Sequence, residues 1–161
     1  MNFSYDRRYI ELAYSVALRS PDPSTQNGAV LVDGDLGAIC TGFNSPPEKL
    51  NADITNYPRE EKLRLTEHAE RRTIFAAARM GHCCSETCLY CLWYACPECA
   101  RAIIDCGIRR VCGHRALLNM TPPRWAASVS DGLEMLHRSG IVTEWYDGPL
   151  GVKKPIRFDG K

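Results

Sequence analysis

The 161-residue sequence has no apolar run that approaches the roughly 20 residues of a membrane-spanning helix. Its N-terminal stretch MNFSYDRRYI places Asp6, Arg7 and Arg8 where a secretory signal requires its apolar core. Neither sign of charge forms a long run, and the formal net charge is only +1 at pH 7. We therefore expect a cytoplasmic protein with no membrane partner, no nucleic acid partner and a small-molecule ligand.

The chain also has no internal repeat and no low-complexity tract. Its length and its 45% hydrophobic content are typical of one compact domain and leave no room for a second. We expect this domain over residues 1–147. Residues 148–161, which are rich in glycine and proline and have little periodicity, are expected to form a C-terminal tail without regular structure.

Hydrophobic periodicity indicates alternating helices and strands. The predicted helices cover residues 5–19, 67–80, 97–106 and 125–140, and the predicted strands cover residues 28–32, 38–43, 87–95, 109–114 and 141–146. The first two strands are separated by DGDLG and predict a β-hairpin, whereas the later strand–helix–strand order predicts a parallel crossover. The pattern predicts an α/β protein with a sheet between helices. Residues 44–59 have no clear period and are expected to form a loop over the active site.

Nine cysteines are many for a cytosolic chain, and an odd number cannot all pair with one another. Metal ligation or buried thiols explain them better than a disulfide framework. Two CxxC spacings occur. Cys88 and Cys91 fall inside a predicted strand, where residues three apart face opposite sides of the sheet, so we expect both to be core residues.

Cys96 and Cys99 differ because Cys96 lies at a strand-to-helix junction and Pro97 opens the helix. Cys99 then follows one turn later, and the helix N-terminus favours the thiolate form that binds zinc. With one imidazole, these two thiolates would complete three protein ligands and leave a fourth position for water, as in a catalytic zinc site.

The stretch TEHAERR supplies both an imidazole and a carboxylate at the start of an alanine-rich helix. Residues two apart point about 200° away from each other within a helix, so His68 and Glu70 can share a site only at its first turn. Taken alone, the pair also fits a solvated helix start. Beside a zinc ion, however, Glu70 could take a proton from bound water and pass protons to a ring nitrogen and a departing amine. H-x-E combined with C-x-x-C is the known signature of zinc deaminases.

Four stretches resemble the cytidine and deoxycytidylate deaminase superfamily, and the dCMP deaminases most of all. They are DPSTQNGAVLV from residue 22, TGFN ending at Asn44, EHAER around Glu70, and CPECARAIIDCGIRRV from Cys96. The resemblance implies that His68, Cys96 and Cys99 hold zinc and that Glu70 is the proton shuttle. It further implies that Asn44 bonds a sugar hydroxyl, that the backbone of Ala69 contacts the base, that a mixed five-stranded sheet lies between helices, and that the protein is a homo-oligomer.

Three positions depart from that pattern. Ala95 stands where the family usually has proline, so the turn before Cys96 loses stiffness. Arg72 introduces a charge, either reaching solvent or an acidic neighbour, or serving a subunit contact or the substrate. Asn27 replaces an apolar residue and either belongs to a turn or faces the base, where it could alter specificity.

Other candidates carry weaker signals. Tyr94 or Trp93 could stack on a base, although either could equally be core. The HCC stretch at 82–84, with Cys88, could form a second zinc site, whereas Cys40, Cys106 and Cys112 are expected to be small buried residues. Arg109 and Arg110 are expected to lie at a solvated edge.

The sequence therefore predicts zinc-dependent hydrolytic deamination of a pyrimidine deoxynucleotide, most simply dCMP to dUMP with release of ammonia. A second interpretation keeps the chemistry but changes the substrate to a modified dCMP, a nucleoside, a purine or a tRNA adenosine. A third is a non-catalytic zinc-stabilised binding module, which the presence of Glu70 disfavours.

Overall fold

The computed structural model describes residues 3–152 and 155–161, apart from the side chains of residues 3 and 4. Its strands are β1 (Gly28–Asp33), β2 (Gly37–Phe43), β3 (Cys88–Cys91), β4 (Arg110–His114) and β5 (Val142–Tyr146). Its α-helices are α1 (Phe3–Ala17), α2 (Arg59–Leu65), α3 (Ala69–Met80), α4 (Pro97–Asp105), α5 (Arg115–Asn119) and α6 (Pro123–Arg138). None of the helices in these ranges is long and apolar enough to cross a membrane.

The strands form one mixed sheet in the order β2-β1-β3-β4-β5. Strand β1 pairs antiparallel with both β2 and β3, whereas β4 pairs parallel with β3 and β5. The predicted hairpin is β1–β2, and the predicted crossover runs from β3 through α4 to β4. The predicted mixed five-stranded sheet is confirmed.

Helices cover both faces of this sheet. Val30 and Val32 pack on the α1 face with Ile10, whereas Ala29 and Leu31 join a second core on the face of α3, α4 and α6. The strand alternates between the two cores because successive side chains point to opposite sides of a sheet. The predicted α/β/α layering is confirmed.

Two glycines bring helices unusually close to the sheet. A Cβ at Gly28 would lie 2.2 Å from the Ala13 carbonyl oxygen of α1, and one at Gly42 would lie 2.6 Å from the Ala69 carbonyl oxygen. Because only glycine permits this approach, Gly42 lets the first turn of α3 rest directly on β2. The residues around His68 are thereby fixed to the sheet.

Several sequence predictions were wrong in detail. The strand expected over residues 87–95 ends at Cys91, where the chain turns towards α4. Helix α2 begins at the end of the predicted loop, which itself contains two short 3-10 turns, and α5 was not predicted. Cys106 is only half-buried, whereas Cys40 and Cys112 are buried as expected.

Arg110 does not lie at a solvated edge. Its Nη2 is 3.0 Å from both carboxylate oxygens of Asp6, its Nη1 donates to the Tyr90 hydroxyl at 2.9 Å, and its Nε donates to Glu144. These partners come from α1, β3 and β5, so Arg110 ties three elements together. Its neighbour Arg109 is exposed, as predicted.

The C-terminal segment, residues 155–161, has no helix or strand but packs on the loop after α1. Gln26 N–H donates to the Arg157 carbonyl at 2.8 Å, and Gly160 N–H donates to the Ser24 carbonyl at 2.8 Å. The Phe158 side chain is buried in the α1-side core. The segment therefore lies against the loop formed by residues 22–26, and the boundary expected at residue 147 stays a prediction.

Candidate active site

Two helix starts meet on the sheet and bring three ligand atoms together. His68 immediately precedes α3, Cys96 immediately precedes α4, and Cys99 lies in the first turn of α4. His68 Nδ1 is 3.4 Å from both the Cys96 and the Cys99 sulfur. In the described ranges, this is the one group of three or more histidine, cysteine or acidic residues whose ligand atoms lie within 4.8 Å of one another.

The geometry of this group fits a zinc ion. A tetrahedral zinc with Zn–S of about 2.3 Å and Zn–N of about 2.0 Å would place its nitrogen and sulfur ligands roughly 3.5 Å apart. The observed 3.4 Å separations agree with that value. One imidazole and two thiols also leave a fourth position free for water, so the donor set matches a catalytic zinc site.

The other cysteines do not assemble a comparable group. The Cys88 sulfur accepts a hydrogen bond from Arg110 Nη1 at 3.3 Å, and Cys91 is fully buried in the core on the α3 side. In the HCC stretch, His82 and Cys83 are exposed whereas Cys84 is buried. Among the described residues, this stretch and Cys88 therefore do not form the second zinc site that the sequence left open.

Mutual hydrogen bonds set the protonation of the three ligands. A hydrogen bond from the Cys99 thiol, with another from His68, lowers the pKa of Cys96 to about 3. The hydrogen bond between the two cysteines also raises the pKa of Cys99. The hydrogen bond between His68 and Cys96 raises the pKa of His68 to about 9. A metal ion must displace the remaining protons, so its binding should release them.

Arg71 connects the two helix starts. Its Nε is 3.2 Å from Glu67 Oε1, and its Nη1 is 3.2 Å from Glu98 Oε2 on α4. Glu67 in turn accepts a hydrogen bond from the backbone N–H of His68 at 3.1 Å. Sequence reasoning missed this bridge, although the four-residue spacing of Glu67 and Arg71 is a common ion-pair signal.

Glu70 lies in the first turn of α3 with only 2% of its surface exposed. Its Oε2 has no hydrogen-bond partner. Burial raises the pKa of Glu70 to about 7. Near neutral pH, this carboxyl group can therefore both hold and release a proton beside the metal ligands.

A pocket opens over these groups. All the predicted site residues line it except Cys99, which is fully buried. The predicted residues in its wall are Asn27, Asn44, His68, Ala69, Glu70, Tyr94 and Cys96. Residues from stretches that are far apart in the sequence therefore line one cavity.

Asn44 and Asn27 are joined by a hydrogen bond within this wall. Asn44 Oδ1 accepts from the Asn27 backbone N–H at 2.7 Å, and Asn44 Nδ2 donates to the Thr25 carbonyl at 2.7 Å. Asn27 Oδ1 accepts from the N–H of Gly28 at 3.0 Å, a contact that favours the turn interpretation. Asn44 keeps a second amide hydrogen, and its contact with a ligand remains a prediction.

The aromatic residues of the pocket wall pack against other aromatic side chains. The Tyr94 ring centroid lies 4.1 Å from that of Trp145, and the ring is buried, which favours the core alternative. Trp93 donates through Nε1 to Thr121 and packs edge-on against Trp125 and Phe158. Stacking of Tyr94 on a base remains a prediction.

Sequence reasoning missed the outer part of the pocket. Asp22, Arg59, Lys62, Arg124 and Trp125 line it, and they come from the loop after α1, from α2 and from α6. Lys62 Nζ is 2.8 Å from Asp22 Oδ1, and both side chains are buried. Asp22 belongs to the DPST stretch that carries the family resemblance, whereas the sequence of α2 contains no signal for a pocket wall.

Arg72 lies outside the lining of this pocket. Its guanidinium donates to the carbonyls of Ser45 and Pro46 at 3.3 and 3.0 Å, and Nη2 is 3.7 Å from Glu48. The pairing with an acidic neighbour was one of the two alternatives left open by the sequence. Arg72 holds the start of the loop that follows β2.

Comparisons with known proteins agree with this geometry. The family model for the cytidine and deoxycytidylate deaminase zinc-binding region matches residues 3–114. A protein of Aliivibrio fischeri described as an uncharacterized deaminase in the luxG 3′ region is 30% identical over 149 residues, covering 92% of this chain and 96% of that protein. The deoxycytidylate deaminase of Mus musculus is 31% identical over 112 residues, 64% of this chain and 60% of the mouse protein.

Among solved structures, that of dCMP deaminase from the cyanophage S-TIM5 in complex with dCMP and dUMP has a TM-score of 0.74 to this chain. The two are 18% identical, and the match covers 90% of this chain and 98% of the phage chain. This similarity shows the fold. The family match, whose range includes His68, Glu70, Cys96 and Cys99, shows more: the chain is a deaminase that belongs to the zinc-binding cytidine and deoxycytidylate deaminase family.

Proposed function

We propose that the protein catalyses the zinc-dependent hydrolytic deamination of dCMP to dUMP and ammonia. The observation that carries this proposal is the buried Glu70 carboxylate, whose Oε2 has no partner, in the same pocket as His68 and Cys96. A binding module would need the metal ligands but not a buried carboxylate beside them, which is costly to leave without a hydrogen-bond partner.

His68, Cys96 and Cys99 would hold the zinc ion, which supplies a Lewis acid that makes water in the site more acidic. The remaining chemistry falls to Glu70. Its carboxylate takes one proton from the attacking water and gives it to N3 of the cytosine ring as the C4–O bond forms. It then takes the second proton from the new C4 hydroxyl and gives it to the amino group, and the C4–N bond breaks. The products are the uracil nucleotide and ammonia, and no oxidant is required.

A pyrimidine deoxynucleotide is the favoured substrate for two reasons. The mouse relative is named a deoxycytidylate deaminase, and the chain aligns with 60% of its length. The outer part of the pocket also carries Arg59 and Arg124, which suit an anionic ligand. By resemblance to the family we further expect a homo-oligomer in the cytoplasm.

The test is ammonia release from the purified, zinc-loaded protein. The substrate panel comprises dCMP, 5-substituted dCMP, dCTP, deoxycytidine, guanine and AMP. We expect dCMP to give the highest kcat/KM. A different leading amine, with dCMP inert, would reject the substrate while retaining the chemistry.

Glu70→Gln tests the mechanism separately. This variant should keep its zinc yet lose turnover by about 100-fold to 10,000-fold, the usual contribution of a positioned general acid–base. Glu61→Gln, on the exposed side of α2, is the matched control and should behave as the wild type. Full turnover by Glu70→Gln would contradict the assignment of Glu70.

A further inference from the structure

We propose that Arg124 binds the phosphate of the nucleotide substrate and that Asp159, from the C-terminal segment, competes with that phosphate for Arg124. The inference rests on the proposed function and concerns the outer end of the same pocket. Asp159 would then set how strongly the enzyme prefers a phosphorylated substrate over a nucleoside.

Arg124 is placed to meet a ligand. It lies in the first turn of α6, lines the pocket and has 47% of its side chain exposed. Its Nη2 forms an ion pair with Asp159 Oδ1. An arginine has five N–H donors, so this single contact leaves several of them for an additional anion.

Arg59 faces the same space from α2. It lines the pocket, and its guanidinium lies over the Trp125 ring at 5.6 Å from the ring centroid. Within residues 3–152 and 155–161 it makes no ion pair with an acidic side chain. Arg59 is therefore a cation at the pocket without a counter-charge of its own.

The charge balance of the outer pocket favours an incoming anion. Asp22 and Lys62 neutralise each other as a buried pair. The remaining charges are two arginines and Asp159, which leaves one positive charge in excess. Helix α6 adds to this because Arg124 lies in its first turn, where the positive end of the helix dipole also favours negative charge.

Asp159 already occupies this position as an internal anion, and its backbone is held in place. Its N–H donates to Thr25 Oγ1 at 3.1 Å, and the next residue, Gly160, donates to the Ser24 carbonyl at 2.8 Å. Arg124, by contrast, has a long side chain on the surface of α6, and 47% of it is exposed. Exchange of the carboxylate for a phosphate therefore requires movement of Arg124 and not of the segment.

A phosphate monoester is the stronger partner in this exchange. It carries nearly two negative charges and three acceptor oxygens, and arginine binds such groups through two parallel hydrogen bonds. Both Arg124 and Asp159 lie outside residues 3–114, the part of the chain that the family model matches. The proposed selectivity is thus a property of this chain's C-terminal portion.

The experiment measures the binding of dUMP and deoxyuridine to the full-length protein by isothermal titration calorimetry. Arg124→Gln should weaken dUMP binding by about 10-fold to 100-fold, the usual effect of one charged hydrogen bond, and leave deoxyuridine binding within about 2-fold. Asp159→Asn should instead tighten dUMP binding several-fold and leave deoxyuridine unchanged. The matched controls, Arg138→Gln and Glu134→Gln, alter an exposed pair on the same helix and should change neither affinity.

Equal loss of dUMP and deoxyuridine affinity in Arg124→Gln would overturn the phosphate contact. Weaker dUMP binding by Asp159→Asn would overturn competition and show that Asp159 orients Arg124. Repeating the comparison with dAMP and dGMP against their nucleosides separates this inference from the proposed function. If the protein deaminates no cytosine nucleotide but still prefers monophosphates in an Arg124-dependent way, the proposed function fails and the phosphate contact stands. If the protein deaminates dCMP but shows no Arg124-dependent preference for monophosphates, the phosphate contact fails and the proposed function stands.

Discussion

Asp22 and Lys62 form a buried ion pair at the pocket wall, with Lys62 Nζ 2.8 Å from Asp22 Oδ1 and no more than 7% of either side chain exposed. Asp22 Oδ1 also accepts hydrogen bonds from the backbone N–H groups of Ser24 and Thr25. One carboxylate thus shapes the loop after α1 and holds α2 against it. The pair joins two segments that are 40 residues apart.

Removal of the lysine charge should expose the dependence of the fold on this pair. Lys62→Met keeps most of the side-chain volume but leaves the Asp22 carboxylate buried without its cation, which should lower the free energy of unfolding by about 3 to 5 kcal/mol. Urea unfolding measures the difference. Arg138→Met breaks an exposed ion pair on α6 and should change stability by less than about 1 kcal/mol. Equal effects of the two substitutions would contradict the structural importance of the Asp22–Lys62 pair.

Glu70 should reduce stability while it serves catalysis. Its Oε2 is buried and has no hydrogen-bond partner, so Glu70→Met should raise the free energy of unfolding by about 1 to 3 kcal/mol and abolish turnover. Chemical unfolding and ammonia release are measured on the same preparations. An unchanged or reduced stability would show that the carboxylate is satisfied by a group such as a bound water.

Gly132 should be required for the position of the metal ligands. A Cβ at this residue of α6 would lie 2.0 Å from the Ala95 carbonyl oxygen and 3.1 Å from the Cys96 carbonyl carbon. Glycine-to-alanine changes within helices normally stabilise by about 1 kcal/mol, but Gly132→Ala should destabilise the protein and weaken zinc binding. Thermal unfolding and zinc titration test both effects. Gly34→Ala, where a Cβ meets no atom within 4 Å, should have little effect on either.

Cysteine variants in the two CxxC pairs should differ in how much zinc the protein binds. Cys99→Ala removes one of three ligands and should reduce bound zinc sharply, whereas Cys88→Ala should keep it because the Cys88 sulfur contacts Arg110 on the other face of the sheet from α3. Elemental analysis after dialysis gives the zinc content of each variant. If Cys88→Ala lost its zinc and Cys99→Ala kept it, the assignment of the metal to Cys96 and Cys99 would be wrong.

The grouping of His68, Cys96 and Cys99 could be predicted from the sequence because these residues lie beside local signals. His68 comes just before an alanine-rich helix, and Cys96 precedes a proline at a helix start, so both positions follow from neighbouring residues. The signals for the first two strands were also local, because β1 and β2 are apolar runs on either side of a glycine-containing turn. The layered fold then followed from the order of these elements.

Features that depend on distant partners could not be predicted in this way. Arg110 is paired with Asp6, which is 104 residues away, and nothing near RRVCGH indicates that pairing. Helix α2 is a short, highly charged segment, and its Lys62 is buried only because Asp22 lies opposite. The outer pocket was missed for the same reason, because its wall combines the loop after α1, α2 and α6.

The close contact between Gly132 and Ala95 also has a geometric consequence for ligand length. At one point α6 touches the backbone that carries Cys96, and eight residues earlier it presents Arg124 at the outer end of the pocket. At 1.5 Å per residue these points are about 12 Å apart along a rigid axis. The helix backbone therefore fixes the separation between these two points, and a ligand that extends from Cys96 to Arg124 must span it.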